Sequence, residues 1–97
     1  MIVRLVKMTF KRDKIQKFLH FLEENKPKIR NFPGCLRIEI LQEKNNPAVI
    51  MTYSYWESEI DLENYRCSEL FNFFLSNTKI HFDDKPEAYS MVSLDKI

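Results

Sequence analysis

The sequence has only one glycine, Gly34, and only two cysteines, Cys35 and Cys67, in 97 residues. A phosphate-binding loop needs several glycines in one turn, so the sequence excludes nucleotide sites of that kind. Two cysteines cannot form the dense disulfide framework of a small secreted protein. No Cys-x-x-Cys or His-x-x-x-His spacing supports a zinc site, and His20 and His81 are expected to be surface or half-buried histidines.

An excess of one charge and a long apolar run are also missing. The 15 Lys and Arg residues are balanced by 14 Asp and Glu residues, so nucleic acid is not an expected partner. No stretch approaches the roughly 20 apolar residues of a membrane span, and no membrane partner is expected. The first ten residues alternate like a strand and show no secretory leader, so we predict a cytoplasmic protein with reduced thiols.

Aromatic residues, in contrast, are abundant. They make up 13% of the chain, and eight of them are phenylalanines. The length is that of one domain, which we place over residues 1–97. A domain of this size buries only roughly 60–65% of its unfolded surface, so its rings must pack very densely or be covered by a partner.

Four segments alternate between apolar and polar residues or are rich in β-branched and aromatic ones, which is typical of strands. They are residues 2–10, 35–42, 48–56 and 87–94. Between the first two, Ile15, Phe18 and Leu22 fall on one face of a helix. Asp13 is expected to cap this helix, and Pro27 to kink it or break its last turn.

A second helical region separates the last two strands, and both Ser58 and Ser68 are expected to cap helices there. Gly34, in the turn before the second strand, is expected to have a positive φ. The order is the split βαβ, or ferredoxin-like, pattern of an α+β fold: a four-stranded antiparallel sheet with the helices on one face. Because every strand also has apolar residues on its other face, we predict a homodimer in which two bare sheet faces pack together.

The third strand ends in a cluster of aromatic and hydroxyl side chains. Thr52, Ser54 and Trp56 share one face, whereas Tyr53 and Tyr55 point the other way. An indole and two hydroxyls between a sheet and its helices can line a pocket for a flat, mildly polar ligand. The alternative is that Trp56 is a core residue whose N–H is bonded to a carbonyl.

The residues between the two helical segments are a second candidate group. Tyr65 and Arg66 could donate hydrogen bonds into the same pocket, although a surface arginine beside a helix cap is the alternative for Arg66. Cys67 could act as a nucleophile only if Arg66 or a helix N-terminus stabilises its thiolate. No histidine is adjacent to serve as its base, so an inert thiol is favoured.

Four segments together resemble the antibiotic biosynthesis monooxygenase domain family. They are Ile2–Met8, the Phe32–Cys35 turn, Thr52–Ser58 and Tyr65–Phe71. The resemblance covers nearly the whole chain, and it implies the dimeric α/β barrel of that family, which agrees with the pattern derived from the residues.

Some members of this family are cofactor-free monooxygenases that oxidise polycyclic phenols or quinols to quinones. In them, a tryptophan at the end of the third strand and a polar residue four positions earlier face the substrate. The resemblance therefore implies catalytic roles for Trp56 and Thr52. At the position of Thr52, that branch often has asparagine. The candidates for substrate contact are Ser54, Tyr65, Arg66 and Cys67, the last at a position where close relatives often carry histidine.

A heme-degrading branch of the family needs a histidine ligand, a tryptophan ten residues before it, and an asparagine on the first strand. Here Leu75 occupies the histidine position, Tyr65 occupies the tryptophan position, and the first strand has no asparagine. Leucine cannot bind iron, so heme is not expected. No other cofactor is expected either. We predict a cofactor-independent monooxygenase acting on a small aromatic, phenolic or quinol-like compound. The alternatives are an isomerase or lyase of a small metabolite and a non-catalytic dimeric module that binds a small ligand.

Overall fold

The computed structural model describes residues 1–97. Its strands are β1 (Ile2–Thr9), β2 (Cys35–Gln42), β3 (Val49–Trp56) and β4 (Glu87–Val92). Its α-helices are α1 (Ile15–Arg30), α2 (Glu59–Arg66) and α3 (Glu69–Thr78). The predicted order of elements is confirmed, and the strands end within two residues of the predicted ranges.

All four strands form one antiparallel sheet in the order β2-β3-β1-β4. The strand that begins the chain therefore pairs with both β3 and β4 at the centre of the sheet. This arrangement is ferredoxin-like and confirms the predicted α+β fold class. None of the helices is long and apolar enough to cross a membrane.

The strand registers divide the sheet into two faces. The face that packs on the helices, here called the covered face, carries Arg4, Val6, Met8, Ile38, Thr52, Ser54, Trp56 and Ala88. The other, here called the open face, carries Leu5, Lys7, Arg37, Glu39, Leu41, Met51, Tyr53, Tyr55, Tyr89 and Met91. The alternation predicted for β3 is thereby confirmed, because Trp56 and Tyr55 lie on opposite faces.

The larger core cluster lies between α1, α3 and one end of the covered face. Phe18 of α1 is fully buried there, stacked on Phe10 with ring centres 4.2 Å apart and meeting Phe74 edge-on at 6.4 Å. A smaller cluster of Cys35, Trp56 and Leu62 lies at the opposite end. The space between these two clusters is where a pocket opens.

The structure contradicts the expected cap of α1 and the expected break in its last turn. Asp13 lies inside a 3-10 turn that leads directly into α1, and no side chain caps this helix. Pro27 does not break the last turn, because the helix continues to Arg30. Proline has no N–H to donate, but the Pro27 carbonyl still accepts a hydrogen bond from the Asn31 N–H at 3.0 Å, so the last turn stays closed.

The caps of the second helical region are confirmed. The Ser58 Oγ accepts a hydrogen bond from the Asp61 N–H at 3.2 Å, and the Ser68 Oγ accepts one from the Phe71 N–H at 3.1 Å. Two separate helices, α2 and α3, result. Gly34 has φ +89°, as predicted, and a Cβ placed on it would lie 2.3 Å from the Cβ of Asp61. The turn before β2 therefore requires glycine both for its backbone and for its close approach to α2.

Candidate functional site

A pocket of about 190 Å³ lies between the covered face and the helices. Most of its lining residues are apolar, and Trp56, Met8 and Ile29 are the most buried of them. A cavity of about 150 Å³ can hold benzene, so this pocket has room for one substituted aromatic ring, with anything larger extending through the mouth.

Trp56 forms one wall of the pocket. Its ring is 1% exposed and stacks on Tyr65, with ring centres 4.9 Å apart and planes inclined by 25°. Its indole N–H donates a hydrogen bond to the Ser54 Oγ at 2.9 Å rather than to a carbonyl. Trp56 is thus fixed by its neighbours, and its ring, not its N–H, is what it offers to a ligand.

Two hydroxyl groups in the pocket have no hydrogen-bond partner within the protein, those of Thr52 on β3 and Tyr65 on α2. Burial, with a smaller effect from the Cys35 thiol, raises the pKa of the Tyr65 phenol well above its ordinary value. Tyr65 therefore stays protonated near neutral pH and can donate a hydrogen bond. The other pocket hydroxyls, of Ser54 and Thr78, are engaged with Trp56 and with a helix carbonyl.

The structure brings Arg66 to the pocket but leaves Cys67 outside its lining. The Arg66 side chain is 45% exposed and pairs with Glu63 at 3.3 Å. Cys67 follows the last residue of α2, is exposed, and directs its Sγ to the Glu63 carboxylate at 3.5 Å. That hydrogen bond raises the pKa of the Cys67 thiol, which disfavours the thiolate that a nucleophile needs.

Arg4 is a pocket residue that the sequence analysis did not select. It extends from the middle of β1, and its Nη1 donates a hydrogen bond to the Ser90 Oγ at 2.8 Å. The sequence does mark this position as unusual, because Arg4 and Lys7 each interrupt a row of apolar residues on the strand. The strand register is needed to assign each of them to a face of the sheet. Arg4 faces the pocket, and Lys7 lies on the open face, 3.8 Å from Glu87.

The remaining lining residues come from the helices and the chain after them. They include Ile29, Leu62, Phe71, Phe74, Leu75 and Phe82. In the sequence these residues belong to ordinary amphipathic stripes, which do not distinguish a pocket wall from a packed core.

Neither histidine lines the pocket, and neither does any carboxylate. His20 pairs with Glu24 at 2.8 Å on the surface of α1, and His81 belongs to the short turn after α3. No group of three His, Cys, Asp or Glu side chains lies in an arrangement that could hold a metal ion. The pocket's own polar chemistry therefore consists of hydroxyls and guanidinium groups.

A model of the antibiotic biosynthesis monooxygenase family matches residues 1–75, more than three quarters of the chain. The chain belongs to this family. The match extends from β1 into α3, and so it includes every site residue predicted from the sequence. Membership supports a general monooxygenase-like function. No curated protein sequence matches the chain.

Several solved structures share the fold of this chain. A Nitrosomonas europaea protein assigned to the antibiotic biosynthesis monooxygenases is 19% identical, with a TM-score of 0.89 over 98% of this chain and 100% of that one. A conserved protein from Methanosarcina mazei Go1 is 22% identical, with a TM-score of 0.86 over 94% and 91%. Rv0793 from Mycobacterium tuberculosis is 13% identical, with a TM-score of 0.88 over 98% and 96%. At these identities the likeness shows the fold alone.

Proposed function

We propose that this protein is a cofactor-independent monooxygenase that oxidises a small aromatic, phenolic or quinol-like compound in the pocket on the covered face. The observation that carries the proposal is the apolar pocket of about 190 Å³, in which a stacked Trp56–Tyr65 wall stands beside the unengaged hydroxyls of Thr52 and Tyr65. The ring wall fits a flat substrate, and the hydroxyls fit a substrate oxygen.

The reaction balances without an external reductant when the substrate is electron-rich. For a ring methylene next to a carbonyl, CH₂ and O₂ become C=O and H₂O, so one oxygen atom enters the substrate and the other leaves as water. Loss of a proton from the substrate gives an enolate, which passes an electron to O₂. The two resulting radicals combine to a peroxide, and this peroxide eliminates water.

The residues of the pocket favour the first of these steps by stabilising the anion. The neutral phenol of Tyr65 and the hydroxyl of Thr52 donate to the developing oxyanion, and Arg66 adds positive charge at the rim. Their effect is strengthened because the surroundings are apolar and exclude water. With no histidine or carboxylate in the lining, the proton passes to water at the mouth of the pocket.

We also propose that the protein is a homodimer joined through the open face. A compact monomer of 11.7 kDa has an accessible surface of roughly 5,900 Å². The chain exposes 6588 Å², and its extended C-terminal residues account for part of the excess. Leu41, Tyr89 and Met91 of the open face are 40%, 48% and 49% exposed, so this face supplies the apolar surface that a second copy would cover.

The proposed function is tested by following oxygen consumption of metal-stripped protein with a panel of reduced naphthoquinols and anthrones. Uptake should exceed the spontaneous rate and fall about tenfold in Trp56→Phe, because the smaller ring leaves the substrate less well positioned. Phe73→Leu changes an aromatic residue of α3 outside the pocket lining, and it should keep the activity.

Two outcomes would redirect the proposal. Uptake unchanged in Trp56→Phe would remove the role given to the ring wall. Conversion of a substrate without oxygen uptake would instead support the isomerase or lyase alternative. Cys67→Ser tests the remaining predicted contact, and an unchanged rate would remove Cys67 from the substrate site.

A further inference from the structure

We propose that the pocket selects aromatic ligands that carry one negative charge, held at the mouth by Arg4 and Arg66. The inference rests on the proposed function for the location of the site, and it specifies the class of substrate that this site takes. It predicts an aromatic acid whose ring enters the pocket while its anionic group stays at the rim.

Arg4 and Arg66 are the only charged side chains that line the pocket. They come from different elements, β1 and α2, so the fold and not a local sequence motif brings them together. Both remain partly exposed, whereas Met8 and Trp56 deeper in the pocket are almost fully buried. The pocket thus has an apolar interior and a cationic rim.

The charges at the rim do not cancel. Arg4 and Arg66 line the same pocket, and both the burial of the Arg4 guanidinium and the charge of Arg66 lower the pKa of Arg4. Glu63 is the only carboxylate that acts on Arg4, and its ion pair is with Arg66, at 3.3 Å. Two guanidinium groups and one carboxylate leave a single positive charge, which one anionic group would neutralise.

Arg4 is oriented without being neutralised. It makes no ion pair, and its hydrogen bond goes to the uncharged Ser90 hydroxyl at 2.8 Å. Lys7 lies three residues further along β1, on the opposite face, and has Glu87 as its partner. A guanidinium held in place by a neutral group keeps donors available for a carboxylate, which its planar fork binds with two parallel hydrogen bonds.

The free hydroxyls refine the ligand class. Thr52 and Tyr65 lie in the same lining as the two arginines, so a second oxygen on the ring would find a donor there. A hydroxylated aromatic carboxylate satisfies the apolar interior, the hydroxyls and the cationic rim together. The same rim charge favours ionisation of such a substrate during oxidation.

The test measures binding, so that it does not depend on turnover. Trp56 is the only tryptophan, and its indole N–H gives one resonance in a ¹H–¹⁵N spectrum of the full chain. That resonance is followed during titrations with 2-naphthoate, which is anionic, and with 2-naphthamide, its neutral counterpart. We expect naphthoate to bind at least about fivefold more tightly, as partly exposed ion pairs allow.

The variants assign the preference to the two arginines. Arg4→Gln and Arg66→Gln should each weaken naphthoate binding about fivefold and leave naphthamide binding within about twofold. Arg12→Gln removes an exposed arginine outside the pocket lining and is the matched control for net charge. A thermal melt of each variant checks that the fold is intact.

The outcomes separate this inference from the proposed function. Equal affinity for the two ligands, or a preference that survives both arginine variants, would overturn the anion selectivity and leave an aromatic pocket in place. No shift of the indole resonance with either ligand would overturn both. Selective binding of naphthoate with no oxygen uptake from any hydroxylated aromatic acid would support the inference and overturn the proposed monooxygenase activity.

Discussion

The covered face and the open face are built from alternate residues of the same four strands. On the covered face, Met8 and Trp56 are 4% and 1% exposed. On the open face, Tyr89 and Met91 are 48% and 49% exposed, although they are equally apolar. The helices that cover Met8 and Trp56 account for part of the difference. The rest comes from the position of β4 at the edge of the sheet, where all six of its residues are exposed.

The two faces also use their aromatic rings differently. On the covered face, Trp56 and Tyr65 stack across elements and border a pocket. On the open face, Tyr53 and Tyr55 are joined along the surface by a hydroxyl hydrogen bond of 2.9 Å, and the Arg37 guanidinium lies 6.0 Å from the Tyr55 ring centre. Contacts of the first kind border the proposed ligand site, whereas contacts of the second kind lie on the surface proposed for association.

The largest effect is expected where the covered face meets α1. Phe18→Ala removes a fully buried ring and should lower the free energy of unfolding by about 3–5 kcal/mol, as is usual for such cavities. Urea unfolding followed by circular dichroism measures the change. Phe73→Ala, at a ring that is 44% exposed, should cost less than about 1 kcal/mol. Equal losses in the two variants would contradict the burial described for Phe18.

The next effect is expected on the open face. Tyr89→Glu places a carboxylate where a second copy is proposed to pack, and it should weaken the dimer at least about a hundredfold because the charge cannot be desolvated. Light scattering at micromolar concentration should show a mass falling from about twice 11.7 kDa to 11.7 kDa.

The control for this variant lies on the same strand. Val92→Glu introduces the same charge at a position of β4 that is 66% exposed and in register with Ile2, off the open face, so it should leave the dimer intact. A wild-type chain that is monomeric at micromolar concentration would refute the dimer itself.

A smaller effect is expected from alkaline pH. Tyr65 has a raised pKa in the folded chain, whereas in the unfolded chain it ionises near its ordinary value of 10.0. The unfolded state therefore loses this proton first, and stability falls as pH rises above 10, by up to about 1.4 kcal/mol for each pH unit. Urea unfolding between pH 8 and about pH 11 measures this decline.

Tyr65→Phe should make the alkaline decline less steep, because phenylalanine has no proton to lose. Cys35, Tyr53 and Cys67, whose pKa values are also raised in the folded chain, should maintain the rest of the decline. The same slope in Tyr65→Phe and the wild type would show that the buried phenol of Tyr65 is not a source of it.

The order of elements and the division into faces were predictable because they follow from local periodicity. Ser58 and Ser68 also show their caps in the sequence, since a serine before an acidic first turn satisfies a free backbone N–H. The break that Pro27 was expected to cause in the last turn of α1 is absent for a tertiary reason. The packing of Phe18, Leu22 and Ile29 holds α1 together despite one lost hydrogen bond.

The pocket was only partly predictable. Trp56, Thr52 and Tyr65 stood out because hydroxyls and large rings cluster near the end of a strand and in the helix after it. Arg4 could not be assigned, because its orientation depends on pairing with β3 and β4, which are distant in the chain. Leu75 could not be separated from a core residue, because an amphipathic helix presents the same stripe in both cases.

The central claim is that ligand binding belongs to the covered face and association to the open face. It is tested most directly by titrating the Tyr89→Glu monomer with 2-naphthoate while following the Trp56 indole resonance. The division between the faces predicts a dissociation constant within about twofold of the wild-type value, because no residue of the open face lines the pocket. Loss of binding together with the dimer would contradict it, and would show that the site needs both copies of the chain.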